Sequence, residues 1–180
     1  KCDEILILDI TASENKKNPN FNLIKQIAEV ARMPVAYGGG IKFQKQAVEI
    51  FSSGIEKISV SSLFFEDKSE IKKIINSVGS QSLIVTFDIK KIENKYLIVS
   101  NRGKTILKDN IQESIKQAQD LGVGEIVINN IDRDGTMIGY DDELTKIFYD
   151  NTSIPITILG GVGKSDDIKN SIKKFGNIGY

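Results

Sequence analysis

The sequence contains no histidine, and this absence excludes several common kinds of catalytic site. A zinc site with histidine ligands cannot be built, and neither can a serine or cysteine nucleophile that a histidine activates. If the protein catalyses proton transfer, the groups that exchange protons must be carboxylates, lysine or cysteine. Any active site in this chain is therefore expected to depend on those groups.

Cysteine, excess charge and long apolar segments are also scarce. The one cysteine, Cys2, excludes a disulfide framework and is typical of the reducing cytoplasm, where we expect the protein to be. Lysine plus arginine and aspartate plus glutamate both number 24, so no basic field indicates a nucleic-acid partner. The sequence shows neither a signal peptide nor an apolar run of about 18 residues, and we expect no membrane association.

What the sequence does contain is a regular alternation of short apolar segments with amphipathic ones. Apolar, β-branched runs predict strands at 4–9, 34–38, 57–61, 82–88, 125–130 and 155–159. Apolar residues at helical spacing predict helices at 22–32, 44–54, 68–79, 110–122 and 141–151. The segment 95–107 is typical of a small hairpin after the fourth strand. Strands that are apolar throughout indicate a parallel sheet between helices, and hence an α/β fold, either a doubly wound sheet or a (βα)8 TIM barrel.

A segment near the start of the chain is repeated near its end. "PVAYGGGIK" (34–42) and "PITILGGVG" (155–163) align without a gap at an offset of 121 positions. The same offset aligns Glu4 with Glu125 and Leu23 with Leu144. Two βαβ units could resemble each other by coincidence, but ungapped agreement over almost forty positions favours a barrel made of two similar halves.

The chain is short for a complete barrel, which usually needs eight strands and roughly 250 residues. Six strands are visible, and "GNIGY" (176–180) resembles the start of another. We therefore expect a single (βα)8-barrel domain, residues 1–180, that lacks the first βα unit and most of the last.

Polar and small residues follow the predicted strands at the end where a TIM barrel carries its active site. Glycines there let backbone N–H groups approach an anion, and serine hydroxyls add donors. Because glycine pairs follow two strands that the repeat relates, we favour two phosphate sites, although tight turns also require glycine. The residues at these ends are Asp9, Gly39, Gly40, Ser61, Ser62, Asp88, Asn129, Asp134, Gly135, Gly160 and Gly161.

Asp88 directly follows the apolar run "SLIVTF", and we expect its side chain to project at the barrel mouth. An aspartate in such a position is also a common helix cap or turn residue. The strongly apolar residues before it favour a functional carboxylate.

Five segments together closely resemble the HisF family, the cyclase subunit of imidazole glycerol phosphate synthase: "LDITAS", "YGGGIK", "TFDIKK", "GEIVINNIDRDGTMIGYD" and "LGGVGK". The resemblance covers essentially the whole chain, and "DRDGT" with "GYD" is its most specific part. It implies a two-fold (βα)8 barrel that receives ammonia from a glutaminase subunit. The implied substrate is a bisphosphorylated ribulosyl aminoimidazole carboxamide, the products are imidazole glycerol phosphate and AICAR, and no metal or cofactor is implied.

The resemblance also implies roles for individual residues. Asp88 matches one of the family's two catalytic aspartates, the general acid/base, and the other is expected on a strand before residue 1. Asp9 and Asp134 match acidic positions in the mouth. One phosphate site corresponds to Gly40, Ser61 and Ser62, and the second corresponds to Gly135 and Gly161.

Three charged residues stand at strand starts, on the opposite side of the predicted barrel. Surface charges that flank strands need no special explanation. The resemblance nevertheless places Glu4, Lys57 and Glu125 at the charged gate through which the family's ammonia enters. This favours a subunit that receives ammonia, with a glutaminase on the amino-terminal face, over a related single-chain isomerase that needs no gate.

Two departures from the family pattern leave the acceptor of the ammonia open. Ser61 and Ser62 stand where the family usually has Asn-Thr, and Asn129 stands where the histidine-pathway enzyme typically carries Thr. Some bacterial HisF-like paralogues resemble this pattern, including "INNIDRDG", and act with a glutaminase-like partner on a surface sugar. A non-catalytic scaffold is a further alternative, and Asp88 argues against it.

Overall fold

A computed structural model of the chain describes residues 3–14, 17–176 and 178–180, and leaves the side chains of residues 13 and 14 undescribed. Cys2 lies outside these ranges. The chain forms two compact units, Lys1–Val85 and Thr86–Tyr180, and the boundary falls inside a strand. Within the described ranges, every helix is too short or too polar to cross a lipid bilayer.

The first unit is a parallel sheet whose strands are connected by helices. Strand β1 pairs with β2, β2 with β3, and β3 with the beginning of β4, all in parallel. The strands are β1 (Ile5–Leu8), β2 (Val35–Gly38), β3 (Lys57–Val60) and β4 (Leu83–Ile92). The helices are α1 (Ile10–Glu14), α2 (Phe21–Val30), α3 (Gln44–Ser52), α4 (Ser62–Glu66) and α5 (Lys68–Val78), and a 3₁₀ turn follows at Ser80–Ser82.

The second unit contains the remainder of β4, a hairpin and two further βα repeats. Strand β4 pairs antiparallel with β5 (Lys95–Ser100), and β5 pairs with β6 (Thr105–Ile106). Strand β7 (Glu125–Asn130) is parallel to β8 (Ile156–Leu159) and also pairs with β4. The helices are α6 (Ile111–Leu121), α7 (Asp142–Asn151) and α8 (Ser165–Phe175). Gly179 forms one parallel bridge with Thr157, where the sequence predicts a further strand to begin.

Burial explains why these segments form strands and helices. The middle residues of β2, β3, β4 and β7 are buried on both faces, which requires helices on one side and other core residues on the other. The longer helices are amphipathic and bury one face, such as Ile71 and Ile74 of α5. This alternation of parallel strands with helices confirms the predicted α/β fold of a partial (βα)8 TIM barrel.

The two-fold repeat seen in the sequence is also present in the backbone hydrogen bonds inside each unit. The N–H of Ile5 donates to the carbonyl of Pro34 at 3.0 Å, and the N–H of Ile126 donates to that of Pro155 at 2.9 Å. Both members of the second pair lie 121 positions after their counterparts. Strand register is therefore conserved between the two copies.

Helix starts follow the same repeat. The Asn20 side chain caps α2 by accepting from the N–H of Leu23 at 3.1 Å, and the Asp141 side chain caps α7 by accepting from Leu144 at 3.2 Å. Helices α3 and α8 also begin alike, since a side chain in the first turn accepts from the backbone N–H just before each helix. Equivalent positions thus satisfy equivalent backbone donors, although the capping residue types differ.

Several elements differ from the sequence-based prediction. Strand β4 continues four residues beyond Asp88 to Ile92, because its last residues pair with β5. The turn between them has positive φ at Glu93 and Asn94, 47° and 66°, as a two-residue hairpin turn requires. The short helices α1 and α4, and also α8, were not predicted.

Candidate active site

Asp9 follows β1 directly and caps the short helix α1. Its Oδ1 accepts hydrogen bonds from the N–H and hydroxyl of Thr11, at 3.0 and 2.8 Å, and from the N–H of Ala12 at 3.0 Å. Burial raises the pKa of Asp9, but the Thr11 hydroxyl and the two backbone donors outweigh it and lower the pKa overall. Asp9 is therefore held as an anion at the carboxyl end of β1.

Tyr37 lies beside Asp9, and no sequence motif marks it as a candidate functional residue. The tyrosine is buried on β2, and its hydroxyl lies 3.4 Å from the Oδ2 of Asp9. Burial, followed by the Asp9 charge, raises the pKa of Tyr37 to about 12. The apolar run around it gave no signal for this contact.

The two glycine pairs, Gly39–Gly40 and Gly160–Gly161, are each needed for loop packing inside their own unit. Gly39 and Gly160 have φ values of 124° and 93°, and a Cβ at either would collide with the carbonyl oxygen of Asp9 or Asn130 respectively. Those two carbonyls are themselves related by the repeat. Gly40 and Gly161 are equally restricted, by the carbonyls of Lys17 and Gly139. Close backbone approach thus accounts for glycine at all four positions, whether or not a phosphate binds there.

Ser61 and Ser62 stand at the end of β3, where α4 begins. Ser61 precedes the helix, and its carbonyl accepts from the N–H of Phe64 at 3.0 Å. Like Asp9, both serines are thus placed at the carboxyl end of a strand of the first unit.

In the second unit, the structure brings Asp88 and Asn129 together on the paired strands β4 and β7. The amide Nδ2 of Asn129 donates to the Oδ1 of Asp88 at 2.7 Å. Next to them, the N–H of Ile131 donates to the carbonyl of Ile89 at 3.1 Å, which holds the two strands in register. Both side chains are half-buried. Because an amide N–H donates without exchanging its own proton, Asn129 can hold one carboxylate oxygen of Asp88 in a fixed direction.

Asp134 and Gly135 lie in an exposed turn after β7. The N–H of Asp134 donates to the Asn130 carbonyl at 3.2 Å, and Gly135 has a φ of 72° with open space around its Cα. The N–H of Gly139 donates to the Gly161 carbonyl at 2.7 Å. The loops after β7 and β8 are thus joined, and the acidic turn lies next to the second glycine pair.

Arg133 fixes the shape of this loop. Its guanidinium NH1 donates to the carbonyls of Gly139 and Tyr140, both at 2.9 Å, and its Nε lies 3.6 Å from the carboxylate of Asp141. A cavity of about 570 Å³ lies beside it, bounded by the β4–β5 hairpin, the loop after β7 and the start of α7. None of the residues predicted to bind substrate lines this cavity.

The predicted gate residues lie at strand starts. In the first unit, the Nζ of Lys57 on β3 lies 2.7 Å from the Oε2 of Glu4, just before β1. In the second unit, the Oε1 of Glu125 at the start of β7 accepts from the Thr157 hydroxyl at 2.7 Å. Glu4 and Lys57 thus form an ion pair, and Glu125 accepts a hydrogen bond within its own unit.

Comparison with known proteins gives the family. The model of the histidine biosynthesis protein family matches residues 1–177. A protein from Leptospira borgpetersenii, provisionally named imidazole glycerol phosphate synthase subunit HisF, is 44% identical over 99% of this chain and 71% of its own length. The imidazole glycerol phosphate synthase subunit HisF of Sulfolobus acidocaldarius is 36% identical over 96% of this chain and 69% of its own. The chain belongs to the HisF family.

Membership of the HisF family confirms the resemblance recognised from the motifs, and the matches extend over nearly the whole chain. It does not by itself assign roles to the residues at the strand ends. Among the described residues, no group of three or more acidic, histidine or cysteine side chains is arranged to hold a metal ion.

Proposed function

We propose that this HisF-family chain is the ammonia-accepting cyclase subunit of imidazole glycerol phosphate synthase. Its substrate would be the bisphosphorylated ribulosyl aminoimidazole carboxamide, and its products imidazole glycerol phosphate and AICAR. The observation that carries the proposal is the Asp88 carboxylate, held at 2.7 Å by the Asn129 amide in a chain without histidine. A carboxylate held in this way could carry out the proton transfers that the proposed reaction needs.

Asp88 would serve as general base and then as general acid. When ammonia adds to the substrate, the nitrogen must lose a proton, and an ionised carboxylate within hydrogen-bond reach can accept it. When the carboxamide product leaves, the same carboxyl group can return a proton to it. Asn129 would keep one oxygen of Asp88 in a fixed position during both steps.

The two phosphates of the substrate would bind at the glycine-containing loops. Gly40, Ser61 and Ser62 would form one site, and Gly135 with Gly161 would form part of the other. Positive φ at Gly40, Gly135 and Gly161 turns backbone N–H groups in directions that other residues rarely allow. Asp9 would add an acidic side chain to the site in the first unit, and Asp134 would add one in the second.

The nitrogen source would be a glutaminase subunit bound where the strands begin. Glu4 and Lys57 form an ion pair there, and Glu125 starts β7. Paired charges at a passage can hold it closed until the partner binds. Glu56, next to Lys57, would contact the glutaminase.

A second candidate function is a HisF-like paralogue that delivers ammonia to a sugar acceptor. The Asp88–Asn129 hydrogen bond and the Ser61–Ser62 pair favour it, because both involve positions that depart from the histidine-pathway pattern. The catalytic step would be the same and the acceptor different. Growth of a histidine-requiring strain that expresses the full-length protein distinguishes the two, since only the cyclase would support it.

Replacement of Asp88 tests the proposal directly. In the full-length protein, Asp88→Asn removes the titrating group but keeps the size of the side chain. We expect kcat to fall by roughly 10²- to 10⁴-fold, with a much smaller change in KM because the phosphates dominate binding. Asp150→Asn, a surface carboxylate on α7 paired with Lys146, is the matched control and should be neutral. Turnover of Asp88→Asn within threefold of wild type would rule out the assignment.

A further inference from the structure

Tyr96, in the second unit, forms several hydrogen bonds that have no part in the proposed chemistry. It stands opposite Lys91 in the β4–β5 hairpin, and its hydroxyl lies 2.9 and 3.0 Å from the two carboxylate oxygens of Asp141. Lys91 Nζ lies 3.3 Å from the same hydroxyl and forms an ion pair with Glu143 at 2.8 Å. Burial and Asp141 raise the pKa of Tyr96 to about 12, so the hydroxyl remains a donor at neutral pH.

Asp141 connects this tyrosine to strand β7. Its carboxylate caps α7 through the N–H of Leu144 at 3.2 Å and also accepts from the Nδ2 of Asn130 at 3.0 Å. The side chain is only 11% exposed, so water competes weakly for these contacts. Asn130 is itself buried, and its own Oδ1 accepts from the N–H of Asp132 at 3.1 Å.

Asn130 is the immediate neighbour of Asn129. Successive side chains of a strand point to opposite faces, so an anchor on Asn130 also limits how the backbone can rotate at Asn129. Asn129 in turn donates to Asp88 at 2.7 Å. A second connection returns to β4, because Asp132 accepts from the N–H of Lys91, three residues after Asp88, at 2.7 Å.

These contacts close a ring from Asp88 through Asn129, Asn130, Asp141 and Tyr96 back to β4. We propose that Tyr96 is a positioning residue that, through Asp141 and Asn130, keeps the Asn129 amide aligned with the Asp88 carboxylate. The inference rests on the proposed function of Asp88 and adds a residue that would act through Asp141 and Asn130. Loss of its hydroxyl would loosen one side of the ring without removing any side chain from the core.

The test uses Tyr96→Phe in the full-length protein, with Tyr149→Phe as the matched control. Tyr149 is a half-exposed tyrosine on α7 whose ring packs against Phe175. The side-chain amide resonance of Asn129, assigned by its loss in Asn129→Leu, reports the alignment without any substrate. We expect Tyr96→Phe to shift or broaden this resonance and to lower kcat about tenfold, with KM nearly unchanged. The control should change neither.

A double variant separates positioning from general damage. Residues that act as a unit have non-additive effects, so in the Asp88→Asn background Tyr96→Phe should alter the residual rate by less than about twofold. The positioning role is overturned if the effects of the two substitutions multiply fully. It is also overturned if Tyr96→Phe leaves either the Asn129 resonance or kcat unchanged. Should the phenylalanine variant not fold, Asp141→Asn weakens the same hydrogen bond, and the same outcomes apply.

The kinetic measurements distinguish a wrong role for Tyr96 from a wrong function for the protein. If the wild-type protein does not turn over the proposed substrate, the proposed function is wrong. If it does and Asp88→Asn retains the same rate, the role of Asp88 is wrong, and a positioning role for Tyr96 in catalysis falls with it. If Asp88→Asn is inactive and Tyr96→Phe has normal kcat, only the role of Tyr96 is wrong.

Discussion

The hydrogen bond between Asn129 and Asp88 is the residue-scale feature on which the proposed chemistry depends. An amide can donate to a carboxylate without taking its proton, so it orients Asp88 without competing as a base. A hydrogen bond to a charged group contributes about 1.5–3 kcal/mol, and its loss from a half-buried site therefore has measurable kinetic consequences. The contact also joins two strands whose register the backbone already fixes.

Replacing Asn129 tests the contribution of that donor. Asn129→Leu keeps approximately the same volume and removes the donor, and we expect kcat to fall roughly 10- to 100-fold because the oriented carboxylate is lost. Asn129→Thr retains a hydroxyl donor and should keep more of the activity. Steady-state kinetics with saturating ammonium salts measure both. Equal activity of the leucine and wild-type proteins would show that the hydrogen bond has no catalytic role.

Sequence reasoning found these residues but not their relation. Asp88 was expected from its apolar context and Asn129 from its place at the end of a strand, and the prediction that Asn129 binds substrate stays a prediction. Their contact joins positions 41 apart and exists only because β7 pairs with β4. Tyr37 and Tyr96 gave no signal at all, because a tyrosine in an apolar or alternating run is typical of ordinary strand packing.

At the scale of elements, strands were easier to predict than short helices. Strand β7 was predicted with its observed bounds, since its apolar residues are buried on both faces. Helices α1 and α4 have five residues each, too few for a helical period to be recognised in the sequence. Strand β4 was predicted too short because the turn at Glu93 and Asn94 lacks the glycine that usually marks such hairpins.

The equivalent helix caps give a prediction at this scale. Asn20→Ala removes the side chain that accepts from Leu23 at the start of α2, and we expect a loss of about 1 kcal/mol of unfolding free energy. Asn20→Asp keeps an acceptor, matches the residue type at the equivalent position 141 and should retain stability. Denaturant unfolding of the full-length protein measures both. A destabilised aspartate variant would contradict the equivalence of the two caps.

At the scale of the molecule, the repeat explains why the two units share their construction. Strand register, loop packing at the glycines and helix caps recur at an offset of 121 positions. Side-chain types at equivalent positions do differ, as at Asn20 and Asp141. Glu4 lies 2.7 Å from Lys57, and its counterpart Glu125 accepts a hydrogen bond from the hydroxyl of Thr157. The repeat thus conserves the backbone construction while the side chains at equivalent positions vary.

The ion pair of the first unit gives the prediction that tests the partner. If Lys57 and Glu4 guard the entry of ammonia, Lys57→Ala should impair turnover with glutamine and the glutaminase subunit, but leave turnover with free ammonium salts nearly unchanged. Loss of a partly exposed ion pair costs little stability, about 0–1 kcal/mol, so the fold should persist. Lys146→Ala breaks a surface pair of the same 2.7 Å length on α7 and is the matched control. An equal response of both nitrogen sources to Lys57→Ala, or a similar response of the control, would mean that the pair is structural and that ammonia does not pass it.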